Sequence, residues 1–191
     1  MEYKIPESSF VNPPHKIEGS MHEARESFYE LAKNKVRHLN HEQFTDWVHK
    51  NIGEGKMGRA FSNSPAIVFF MNDNNKEEQN VEKYLKNLEI VVDTSKFNLN
   101  GKDFTDILPF VIEHEIFESW VRSKKGFLEE KEFSEESRNR AHLLALRKQF
   151  LLAEEAGKGG KMFEWFMLLA PRKEKDYISA WESARKKLKK S

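Results

Sequence analysis

The chain has 191 residues, 38% hydrophobic and 33% charged, with 32 Lys and Arg against 31 Asp and Glu. That length fits one domain with its own core, and fifteen Phe and four Trp exclude a disordered polyampholyte. The near-zero net charge sets up no global field for nucleic acid or anionic lipid, and the lack of cysteine excludes disulfide scaffolds, thiolate metal sites and cysteine nucleophiles.

Any metal must therefore be held by His, Asp or Glu. Apolar runs such as Ala66–Met71 and Met167–Ala170 fall far short of the roughly 20 residues of a membrane span. Met1–Pro6 lacks a signal-peptide core, so a cytoplasmic protein without a membrane partner is expected.

Residues 1–20, with Pro6, Pro13 and Pro14, read as an extended arm. From Ser20 to about Leu39, the spacing of Ala24, Phe28, Leu31, Ala32 and Val36 predicts a helix. A short helix over His41–Lys50 follows, with Phe44, Trp47 and Val48 on one side. Asn51–Gly58 contains three glycines, but it lacks phosphate-loop spacing and a leading strand, so it reads as a plain loop. Residues 66–71 form the best strand candidate. The polar stretch Asn72–Asn80 is a loop without the glycine and ligand spacing of a calcium site. A helix over about 79–87 leads to a strand at Leu88–Val92, closed by Asp93.

The strongest helix runs from about Asp106 to Lys125, capped by Thr105 or Asp106, with Pro109 in its first turn and Gly126 as its stop. Ser134 caps the next, with Glu135 and Glu136 favoured by the dipole, and it continues to Ala156 before Gly157. Lys161–Leu169 is a short apolar helix before Pro171, and residues 176–189 form the last. The expected fold is α+β, mostly helical with a small β-sheet. It comprises the arm 1–20, a single domain 21–171 and a basic C-terminal helix 172–191.

One constellation carries chemistry. His114 and Glu118 are four residues apart, so both project from one helical face within reach of a single cation. Glu115 stands where HExxH sites hold the carboxylate that takes a proton from water. His142, early in the following helix, is the obvious third ligand. Two imidazoles, one carboxylate and water make a usual catalytic zinc inventory. Residues 113–136 add a local negative field, with eight Glu against Arg122, Lys124, Lys125 and Lys131. His-Glu-x-x-Glu also occurs at His22–Glu26. That copy lies in a polar helix beside the Pro-rich arm, without a preceding apolar strand, and reads as a solvated face.

The segment from about Glu89 to Glu155 resembles zincin-like metallopeptidases, in which a strand precedes the helix carrying HExxH. It is similar to phage and bacterial proteins with His-Glu-x-x-Glu on one helix and Ala-His on the next. The matching residues are His114, Glu115 and Glu118, then Ala141-His142 with Ala145 following. The resemblance implies metal ligation by His114, Glu118 and His142, with Glu115 as base. Glu118 stands where the usual zincin helix has its second His, which makes the bound water less acidic.

These readings lead to an expected zinc-dependent hydrolase acting on peptide or protein substrates, with Mn, Fe or Ni as other metals the ligands would take. The alternative is a non-enzymatic module whose basic helix, residues 172–191, holds a nucleic acid or acidic partner, any metal then stapling two helices. Tyr177, Ile178, Trp181 and Leu188 lie roughly along one face of that helix, which favours packing on the body with a solvated basic face. Phe163, Trp165, Phe166, Leu168 and Leu169 read as core, and Asp93 as a strand-end turn residue rather than an orienting partner for a ligand imidazole.

Overall fold

A computed structural model describes residues 21–70, 88–124 and 135–190. In chain order it contains α1 (Met21–Lys33), β1 (Val36–Leu39), α2 (His41–Asn51), α3 (Lys56–Ser62), β2 (Ala66–Phe70) and β3 (Leu88–Asp93). A 3-10 turn (Thr94–Phe97), the two-residue strands β4 (Asn98–Leu99) and β5 (Lys102–Asp103) and a second 3-10 turn (Thr105–Ile107) lead to α4 (Leu108–Lys124). Then come α5 (Glu135–Glu155), α6 (Gly159–Leu169), the turn Pro171–Lys173 and α7 (Glu174–Leu188). The class is α+β, mostly helical with a small mixed sheet, as the sequence predicts. The expected arm 1–20, loop 72–80, helix 79–87, stop at Gly126 and cap at Ser134 lie outside the described residues. No described helix is long and apolar enough to cross a membrane.

β3 sits between β1, to which it is parallel, and β2, to which it is antiparallel. A central strand covered on both faces must be apolar on both, and Leu88-Glu89-Ile90-Val91-Val92 is nearly so. Successive side chains alternate between faces. Leu88, Ile90 and Val92 enter the larger core, whereas Val91, with Ile67 of β2, meets Phe44, Trp47 and Val48 of α2. α2 is fixed at its start by a reciprocal cap: the Asn40 side chain accepts from Gln43 N–H, and Gln43 accepts from Asn40 N–H.

On the opposite face α5 packs between α4 and α7, and α6 closes against both α5 and α7. Trp165 of α6 is fully buried, stacks on Phe97 at 5.0 Å and donates to the Lys96 carbonyl at 2.7 Å. These contacts tie the C-terminal helices to the turn that follows β3.

Four local expectations are corrected. The helix drawn to Leu39 stops at Lys33, and Val36–Leu39 becomes a strand paired with Ile90–Asp93. A partner about fifty residues away is invisible to periodicity. The loop ascribed to Asn51–Gly58 ends early, because α3 begins at Lys56. Asp103, rather than Thr105 or Asp106, opens the turn before α4 by accepting from Thr105 N–H at 2.8 Å. Asp106 instead pairs with Lys161 at 2.7 Å and Lys158 at 3.1 Å, which holds its carboxyl below the usual range. Finally, the packed face of α7 is built on Tyr177, Ala180 and Ala184, and Ile178 and Leu168 are exposed.

The glycine segment has a steric reason. A Cβ on Gly58 would lie 1.7 Å from the Gly53 carbonyl oxygen, a backbone atom that cannot swing aside. Gly58→Ala should therefore lower the unfolding free energy by about 2 kcal/mol, read as a lower urea midpoint. An unchanged midpoint would contradict the close approach of residues 53 and 58.

Candidate metal centre

α4 is apolar on the face it turns to the core, where Val111 and Ile116 are buried. One helical turn separates His114 from Glu118, and both side chains are buried there at 5% and 6% exposure. α5 packs closely on α4, with the small residues Ala141 and Ala145 buried on it, and it delivers His142 to the same point. His114 Nε2 lies 3.2 Å from Glu118 Oε2 and 3.2 Å from His142 Nδ1. His142 Nδ1 lies 3.1 Å from the same Glu118 oxygen. The two imidazoles meet edge to face, centroids 4.9 Å apart. Among the described residues this is the one group of three such side chains with converging donor atoms.

The triangle cannot be satisfied by protons alone while Glu118 is ionised. A ring nitrogen either carries a proton or offers a lone pair, and a carboxylate only accepts. If one imidazole donates, the other turns a lone pair toward the carboxylate. If both donate, their N–H groups face each other across 3.2 Å. A cation accepts from all three atoms at once. Tetrahedral zinc, with bonds of about 2.0–2.1 Å to nitrogen and oxygen, needs its ligands about 3.3 Å apart; the observed edges are 3.1–3.2 Å. Burial pushes the His114 imidazole below the usual histidine range, against the opposing pull of Glu118, which keeps the neutral, ligating form.

The centre opens on one side. The His142 side chain is 39% exposed, and it borders a cleft of about 230 Å³ together with His114 and Glu115. Trp165, Phe166 and Leu169 make an apolar wall, Lys173 adds a cation, and Asn63–Pro65 contribute backbone just before β2. Burial raises the phenol of Tyr177, another lining residue, to about 12, so it stays a neutral donor. The cleft therefore sets an apolar wall beside three potential ligating atoms and a carboxylate.

The structure thus brings together all four residues named from the sequence: His114, Glu118 and His142 at the triangle and Glu115 beside it. In the other copy of the motif Glu26 is exposed and pairs with Arg25, and the side chains of His22 and Glu23 lie outside the described residues. Asp93 is fully buried but accepts from Ser95 N–H and Oγ–H and pairs with His41 at 2.8 Å, so it is a turn residue and not a partner of either site imidazole. Gln149 was missed, although its place seven residues after His142 puts it on the same helical face.

Glu118→Gln tests the proton argument. In metal-free protein an amide removes the clash of lone pairs and should raise stability by about 1 kcal/mol, while the rise in melting temperature on adding zinc should disappear. A variant that is less stable without metal would mark the triangle as an ordinary hydrogen-bonded cluster. No protein-family model matches this chain, and no curated protein or solved structure is significantly similar to it, so the geometry of the centre is what bears on function.

Proposed function

We propose that the chain is a zinc-dependent hydrolase of zincin-like type, cleaving peptide or protein amide bonds. The observation that carries this reading is the triangle of His114, Glu118 and His142, whose three donors face one point. Zinc held there would supply a Lewis acid that makes water a nucleophile near neutral pH. Glu115 accepts the proton of the attacking water and passes it to the leaving amine. The apolar wall formed by Phe166 and Leu169 holds a hydrophobic substrate side chain and keeps bulk water from the reacting carbonyl.

Elemental analysis of the purified protein beside His114→Ala is the first test. About one zinc per chain, lost in the variant, is the expected result; absence of metal from zinc-supplied wild type would end the reading. Glu115→Gln should then retain zinc and lower turnover of a hydrophobic peptide substrate by about 10²–10⁴-fold. Undiminished turnover would remove Glu115 from the role of base.

A second reading has its own observation. Lys186 and Lys187 of α7 and Lys189 just beyond it are exposed while Tyr177, Ala180 and Ala184 are buried, leaving a basic face for nucleic acid or an acidic partner. Deleting this helix would unfold the core, so reversing these three lysines to Glu is the cleaner test. Salt-sensitive binding abolished by that change, with no effect of chelators, would favour the binding module. Hydrolysis unaffected by the change favours the enzyme.

A further inference from the structure

Gln149 lies about two turns beyond His142 on α5, is 1% exposed, and lines the cleft with His114. Neither its amide nitrogen nor its amide oxygen has a hydrogen-bond partner, and neither does His114 Nδ1. Buried polar groups without partners are rare, and each calls for an explanation. Here three such atoms border one site. The fourth, the Thr45 hydroxyl, belongs to α2 across the sheet.

We propose that Gln149 is a positioning residue: its Oε1 accepts the Nδ1–H of His114, fixing the tautomer whose lone pair lies on Nε2. Nε2 is the atom that faces Glu118 and His142. A ligating imidazole generally donates its other N–H to an outer partner, which sets ring orientation and basicity. This inference rests on the metal-binding reading of the triangle. Pairing of these two orphaned groups would turn the Nε2 lone pair toward the triangle in the absence of metal as well.

The test uses the full-length protein labelled with ¹⁵N, its imidazole spectra recorded without metal. His114 should appear as the Nδ1–H tautomer in the wild type and in Gln149→Glu, whose carboxylate accepts the same proton. Gln149→Leu, close in volume, should shift it toward Nε2–H and weaken zinc binding by about 10–100-fold, with Gln149→Glu staying within a few-fold of wild type. Gln149→Met substitutes if the leucine variant does not fold. An Nε2–H tautomer in the wild type, or an unchanged tautomer and zinc affinity in a folded Gln149→Leu, overturns the assignment. The tautomer is read without zinc, so a wild type that binds none would end the metal reading while the spectra still decide the role of Gln149.

Discussion

A buried carboxylate between two imidazoles is the constraint on which the centre depends. Glu118 is nearly out of water, and a charge in that position costs stability unless other groups compensate it. The compensating groups come from two helices, so the relation of α4 to α5 is fixed by chemistry as well as by packing. Ala141 and Ala145 permit the close approach, and Ile116 and Leu146 fill the space around it with apolar atoms. Low polarity around the triangle strengthens each electrostatic interaction within it. For the same reason, a mismatch of protons there is felt by the whole helix pair.

The sheet and the C-terminal helices supply the frame. β3 is covered on both faces, which makes it the element least able to move. Asp93, at its end, turns the chain by accepting from Ser95 and links it to His41 at the start of α2. Trp165 then clamps α6 to that turn through the Lys96 carbonyl. α6 and the residues around the start of α7 in this way become a wall of the cleft, contributing Trp165, Lys173 and Tyr177. The basic C-terminal segment, which the sequence already favours as packing on the body, is part of what borders the site.

Burial is uneven across the centre. His114 and Glu118 are enclosed, whereas His142 is open to the cleft. Under the proposed hydrolase reading, water and substrate would approach on the His142 side, where Glu115 also lies. The enclosed pair gives rigidity, and the open member gives access.

Much of the site was legible in the sequence because it depends on short-range spacing. Residues four apart share a helical face whatever surrounds them, so His114 and Glu118 had to point the same way. Likewise Leu88–Val92, apolar on both alternating faces, had to be a covered strand, and Gly157, with a φ of +70°, was recognisable as a helix stop. What the sequence could not decide were contacts between distant segments. Val36–Leu39 became a strand because β3 lay beside it. Gln149 acquired a role because α4 placed His114 opposite it. The faces of α6 and α7 were settled by which small residues let them approach α5. Local periodicity determines which side chains leave a helix together, but tertiary packing determines what they meet, because that depends on distances between elements that no window of sequence contains.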